Sequence, residues 1–255
     1  MKIEILGCYG NVVGDYRTTA FLVDDTLLVD AGTVTEVLDD ERLKKIKHVL
    51  ISHTHIDHLK GLFPLVDELV MMGNYRFELI STGDILASIA DNLFNDLIWP
   101  DFTAIPSERR AIMKLREAEL DQPALVGNIS VRPVPVSHTV ACVGYIIKEG
   151  NNGFVYSADT GLTDTLWEVA QDEPGIDFIM ADVSFPNRLE KLAMKSGHMT
   201  LSMLAYCLER FNLEHKKVLL THMKPIFLRE ILSDLVELDR PNIKPLQQGA
   251  TIELR

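Results

Sequence analysis

The sequence predicts an α/β fold in which two mixed β-sheets pack face to face with helices outside. Two observations carry that expectation. Strand-like runs joined by tight turns fill the first third of the chain, whereas strands alternate with helical segments later. Hydrophobic residues make up 47% of the 255 positions, enough for a large core without disulfides or repeats. The chain therefore reads as one domain over 1–255.

In order, the first strand is KIEILGC (2–8), and TAFLVDD with TLLVDAG (19–32) makes a hairpin across Asp24 and Asp25. HVLIS (48–52) and FELIST (77–82) are apolar runs of strand length. NISVRPVPVS (128–137) follows, then a second hairpin in 143–159 that turns at Gly150, Asn151, Asn152 and Gly153. DFIMADVSF (177–185), KVLLT (217–221) and TIELR (251–255) complete the strands. Helices are expected at 59–72, 83–97, 107–119, 163–171, 199–212 and 225–238. Residues 83–125 break the strand rhythm with helices and with Pro100 and Pro106, and read as a helical insertion covering another part of the fold.

Composition narrows the function. A net charge of −12, from 37 acidic against 25 basic residues, disfavours a surface that tracks long nucleic acids. Cys8, Cys142 and Cys207 are too few and too scattered for a disulfide framework, and suit buried positions in a reducing compartment. MKIEILGCYG carries an acid inside its short apolar run, unlike a signal peptide, and no window approaches the roughly 18 apolar residues of a membrane span. A cytoplasmic protein without a membrane anchor is expected.

The densest chemistry lies in HVLISHTHIDH (48–58), where a buried strand runs into a cluster of imidazoles and one carboxylate. Three later strands also deliver a metal-type side chain at their carboxyl ends: His138 after VRPVPVS, Asp159 after GFVYSA and His222 after KVLLT. Loops at one sheet edge are where rigid strands converge side chains on a point. His53 and His55, two apart in an extended segment, point the same way, and Asp57 and His58 follow where the chain turns into a helix. The ligand set that follows gives His53, His55 and His138 to one ion, Asp57, His58 and His222 to a second, and Asp159 to both. Zinc suits these donors, and iron or manganese also accept mixed His/Asp ligands. Asp30 in LLVDAG reads as a carboxylate that orients a ligand imidazole. His48 and His215 stand apart from the pattern.

SHTHIDHLKGL, VSH, SADTG and THMKP, in that order, resemble the metallo-β-lactamase superfamily of metallohydrolases over nearly the whole chain. The resemblance implies an αββα sandwich with a dinuclear metal site at one edge of the two sheets. FNDLIWPDFTAIP (94–106) and SFPNRLEKLAMKSGHMT (184–200) more narrowly resemble the class II cyclic-nucleotide phosphodiesterases. That family hydrolyses 3′,5′-cyclic nucleotides to 5′-monophosphates with two metal ions, and related enzymes are commonly homodimers. The chain departs from the pattern at Ile56, at Thr139 and at Val183, where leucine, glycine and cysteine are usual. The expected reaction is attack on phosphorus by a hydroxide shared between two cations. His198 in SGHMT is the candidate general acid, with Asp57 as a second proton carrier. Phe94, Trp99 and Phe102 are candidates to stack on a base, and Asn187, Arg17 and Lys224 to hold sugar or phosphate.

Three rivals share the fold. A tRNA 3′-processing endonuclease normally carries a basic, Gly/Pro-rich arm that this chain lacks. A non-hydrolytic di-iron oxygen-binding or sensing protein usually has a carboxylate where His55 stands, and often a flavodoxin domain. A thioester or lactone hydrolase would share the metal ligands but neither FNDLIWPDF nor SGHMT.

Overall fold

The structure, a computed structural model, describes residues 1–73 and 75–254. Arg255, the last residue of the expected strand 251–255, lies outside the described residues. In chain order the strands are β1 (Lys2–Gly7), β2 (Ala20–Val23), β3 (Leu27–Val29), β4 (His48–Leu50), β5 (Phe77–Ser81), β6 (Met113–Glu117), β7 (Ala124–Val126), β8 (Ile129–Pro135), β9 (Val143–Glu149), β10 (Asn152–Tyr156), β11 (Ile176–Asp182), β12 (Lys217–Thr221), β13 (Ile243–Pro245) and β14 (Thr251–Glu253). They form two seven-stranded mixed sheets, β14-β1-β2-β3-β4-β5-β6 and β13-β12-β11-β10-β9-β8-β7. The helices are α1 (Asp40–Leu43), α2 (Ile56–Leu59), α3 (Leu62–Met72), α4 (Gly83–Asn92), α5 (Thr165–Asp172), α6 (Glu190–Ser196), α7 (Leu201–Arg210) and α8 (Leu228–Leu238).

Period-two alternation explains why the second sheet is buried on both faces. Phe154, Tyr156, Phe178 and Met180 join the core shared with Ile3, Phe21 and Leu28 of the first sheet. The intervening Val155, Ile179 and Ala181 pack against Leu166 and Trp167 of α5 and Leu204 and Leu208 of α7. The first hairpin turns where expected. Asp24 and Asp25 take φ of 46° and 56°, and Thr26 N–H closes on the Val23 carbonyl at 3.1 Å. The second turn is tighter than expected: Asn152 already pairs with Glu149, leaving Gly150 and Asn151 between the strands.

The helix expected over 107–119 is absent. A short 3-10 turn, Glu108–Arg110, precedes β6, which pairs parallel to β5 from Phe77↔Met113 to Ser81↔Glu117. MKLRE alternates: Met113 is buried, while Lys114 and Arg116 reach across to Glu78. Segment 83–125 is therefore not a helical insertion: it contributes α4, the 3-10 turn, strand β6 at the edge of the first sheet and the start of β7 at the edge of the second. The helix expected over 59–72 is also interrupted, at Lys60–Gly61, where the Gly61 N–H bonds the Ala31 carbonyl at 2.7 Å. That break lets α2 present Asp57 and His58 independently of α3.

Candidate metal centre

The seven residues singled out as ligands converge just past the carboxyl ends of β4, β8, β10 and β12. His53, His55, His138 and Asp159 offer donor atoms within 4.8 Å of one another, as do Asp57, His58 and His222. Asp159 is buried between the groups. Its Oδ2 lies 3.6 Å from His53 Nε2 and 3.3 Å from His222 Nε2, and its Oδ1 lies 3.4 Å from His58 Nε2. Asp57 Oδ2 is 3.1 Å from His222 Nε2, and His138 Nε2 is 3.0 Å from His55 Nδ1.

Outer hydrogen bonds decide which nitrogen of each ring faces inward. Asp30, with φ of 53°, accepts from the Ser52 N–H at 2.8 Å, Ser52 Oγ at 2.9 Å, His58 Nδ1 at 2.7 Å and Tyr156 Oη at 2.7 Å. A carboxylate only accepts, so Ser52 Oγ gives its proton to Asp30 and in turn accepts from His53 Nδ1 at 3.0 Å. The same relay recurs in the second sheet. Ser184 Oγ donates to Asp182 at 2.6 Å and accepts from His222 Nδ1 at 2.8 Å. His138 Nδ1 donates to the Gly197 carbonyl at 2.7 Å. Four imidazoles therefore aim Nε2 at the centre, the atom through which each would ligate a cation once that nitrogen carries no proton.

This arrangement passes a direct test for a cation. His53 Nε2, His58 Nε2 and Asp159 Oδ1 are buried without a hydrogen-bond partner, a costly state unless something positive sits among them. Ligands at about 2.0–2.1 Å in a tetrahedron are about 3.3 Å apart, close to the spacings around Asp159. Burial lowers the pKa of His53, His55 and His138, so these rings are neutral and able to ligate. At His58 burial works against charge, but Asp159 and Asp30 outweigh it and raise the pKa. At Asp159 burial opposes ionisation, and His222 and His58 overcome it, holding the carboxyl well below its usual range. The cluster favours positive charge at its centre.

His198 stands beside this cluster, buried, with Nδ1 2.8 Å from Asp182 Oδ2. Burial works against its protonation, Asp182 outweighs burial, and Lys224 opposes weakly; the net shift is upward. Its ring also falls within 4.8 Å of the Asp159 and His222 donors. His55, Asp57, Asp159, His198, His222 and Lys224 line a cavity of about 390 Å³.

The expected substrate contacts fare differently. Phe94 and Phe102 are buried, and Phe63 stacks on Phe94 at 5.4 Å and meets Trp99 edge-on at 5.6 Å. These aromatics form the local core of segment 94–102, so Phe94 and Phe102 have no face left for a base. Asn187 is also taken: its Oδ1 accepts from the Ser202 N–H at 2.9 Å at the start of α7. Arg17 does not line the cavity, whereas Lys224 does. Sequence reasoning missed Ser52, Asp182, Ser184 and the Gly197 carbonyl. For Asp182 a signal existed, because it ends the buried strand IDFIMAD as the ligands end theirs.

A two-sheet sandwich with a His/Asp donor cluster at one edge defines a metallohydrolase of the metallo-β-lactamase fold. Residues 25–223 match the beta-lactamase superfamily domain, and the chain belongs to that family. Among its relatives is the probable metallo-hydrolase YhfI of Bacillus subtilis, 25% identical over 78% of this chain and 78% of that protein. A probable 3′,5′-cyclic-nucleotide phosphodiesterase of Yersinia pestis is 24% identical over 72% of this chain and 59% of that protein. A ribonuclease Z of Parabacteroides distasonis is 29% identical over 58% of this chain and 49% of that protein. The crystal structure of unliganded yeast PDE1 superposes with a TM-score of 0.83 at 19% identity, covering 99% of both chains, a likeness of fold.

Proposed function

We propose that this chain is a metal-dependent phosphodiesterase hydrolysing 3′,5′-cyclic nucleotides to 5′-nucleotides. The observation that carries the reading is a proton donor set beside a convergent donor cluster, both facing one cavity. His53, His55, His138 and Asp159 would hold one divalent ion, and Asp57, His58, His222 and Asp159 a second. When bound, such ions, zinc foremost, supply Lewis-acid charge and an acidified water. With Nδ1 tied to Asp182, His198 has Nε2 left to face the cavity it lines. It gives a proton to the 3′ oxygen as the P–O3′ bond breaks, and Asp182 keeps the ring charged and oriented. Asp57 is half-buried and its carboxyl is held below the usual range: burial opposes ionisation, but the His222 hydrogen bond and the charge of His58 outweigh it. It is ionised and able to accept a proton from the attacking water.

The likeness to the Yersinia protein directs the choice of cyclic nucleotides. The net charge of −12 weighs against RNA, the other phosphodiester among the relatives' substrates. The test is a panel of cyclic AMP, cyclic GMP, cyclic dinucleotides, bis-p-nitrophenyl phosphate and a tRNA precursor. Asp159→Ala should abolish cleavage and lose at least one metal equivalent. His198→Ala should slow turnover about 10²–10⁴-fold with both ions retained, which separates a general acid from a ligand. Full activity in Asp159→Ala, or faster cleavage of the tRNA precursor than of any cyclic nucleotide, would sink the reading.

A further inference from the structure

Lys224 shares the cavity wall with His198 and is the one lysine or arginine among the described wall residues. Its ammonium lies 5.4 Å from the centroid of the Phe185 ring, so the stem is steered by an aromatic face instead of waving in solvent. Its backbone is held as well, because the Phe227 N–H bonds the Lys224 carbonyl at 2.9 Å in the short turn Pro225–Phe227. Among the described residues no carboxylate forms an ion pair with it. That is notable in a chain of 37 acidic residues, and in a cavity that includes Asp57 and Asp159. Those carboxylates are engaged with imidazoles. The ammonium is left to an anionic ligand.

A dinuclear site polarises a carbonyl as readily as a phosphoryl oxygen. The ligand set alone therefore does not separate a phosphodiesterase from a lactone or thioester hydrolase. The substrates differ in charge. A phosphodiester carries one negative charge over two non-bridging oxygens. If one of these faces the donor cluster, the other is turned to the wall, where a lysine can place any of its three donors. We propose that Lys224 is the charge selector of this site: it contacts that second oxygen and restricts the cavity to anionic phosphodiesters over uncharged carbonyl esters. The proposal rests on the phosphodiesterase reading above and names the group that enforces it.

The test compares Lys224→Met, which keeps the stem and removes the charge, with Lys224→Arg, which keeps the charge. In Lys224→Met the KM for cyclic AMP should rise about tenfold or more with kcat within about threefold, and Lys224→Arg should recover most of the loss. Hydrolysis of p-nitrophenyl acetate, an uncharged ester, should not fall. Calorimetric binding of 5′-AMP to the zinc-loaded protein should weaken about tenfold in Lys224→Met, with zinc stoichiometry unchanged. A KM and a 5′-AMP affinity within about twofold of wild type would overturn the proposal. So would loss of zinc from Lys224→Met, which would make the lysine a structural support. If the wild type cleaves no phosphodiester yet binds 5′-AMP through Lys224, the phosphodiesterase reading fails and charge selection stands. If it cleaves them and Lys224→Met does so equally well, charge selection fails alone.

Discussion

Gly10 has no side chain because His222 fills the space where one would be. A Cβ there would lie 2.7 Å from the His222 carbonyl oxygen and 2.8 Å from Cε1 and Nδ1 of its ring. The ring cannot retreat cheaply, since Ser184 holds its Nδ1 and its own φ is already 59°, a strained region for a non-glycine residue. Gly10→Ala should therefore swing His222 off its aim, lowering cleavage of bis-p-nitrophenyl phosphate about 10²-fold and the metal content by one equivalent. Two bound ions with undiminished kcat would mean that the loop before β2 gives way instead. At this scale the sequence is legible where spacing encodes direction. His53 and His55 could be read together because an extended chain repeats every second residue, and His58 because the chain turns after them. Ser184 was illegible, since its role depends on Asp182 in the same strand end meeting His222 from a strand 38 residues on. The aromatics of 94–102 misled for a related reason: composition marks a stacking surface and a small core alike, and Phe63 decides between them.

At the scale of elements, strand β1 and the first hairpin turn are fastened to α1 by an ion-pair triad. Arg42 donates to both carboxylate oxygens of Glu4 on β1, at 2.9 and 2.7 Å, and to Asp25 in the first hairpin turn at 3.1 Å. The Arg42 hydrogen bonds lower the Glu4 pKa against the opposing effect of burial. A carboxyl depressed in the folded state adds stability that is complete above its unfolded pKa and disappears as pH falls through the folded one. Glu4→Gln should accordingly cost about 0.5–1 kcal/mol at neutral pH, discounted for the partial exposure of the pair. The gap between variant and wild type should close on acidification below the ordinary carboxylate range, as read from urea midpoints across pH. A gap that persists in acid would assign the loss to packing. Helices α5, α7 and α8 were legible because each buries one stripe on the second sheet. Strand β6 was harder. Its five residues alternate too briefly to outweigh the helical look of their neighbours, and only pairing with β5 settles the matter.

At the scale of the whole molecule, the two sheets repeat one plan. Each runs through three antiparallel pairings and then three parallel ones, from β14 to β6 and from β7 to β13. The donor cluster lies across the seam. His53 and His55 come from the loop after β4 in the first sheet, Asp57 and His58 from α2 just beyond it, and His138, Asp159 and His222 follow β8, β10 and β12 in the second. Ions held there would cross-link the halves, in addition to the apolar core between them. Without them, Asp159 Oδ1 and two imidazole nitrogens stay buried without a hydrogen bond. Because the unfolded chain cannot assemble such a site, binding free energy becomes folding free energy. A ligand at a thousand times its Kd adds about 4 kcal/mol, and for a domain of this size each kcal/mol moves Tm by about 2–4 °C. Removing metal with a chelator should therefore lower Tm by about 10 °C in differential scanning calorimetry, and returning zinc should restore it. Asp159→Ala should lose most of that zinc response, because its carboxylate reaches donors of both groups, whereas His198→Ala should keep it. A Tm indifferent to chelation in protein verified to have carried two ions would mean that the apolar interface alone holds the sheets in register.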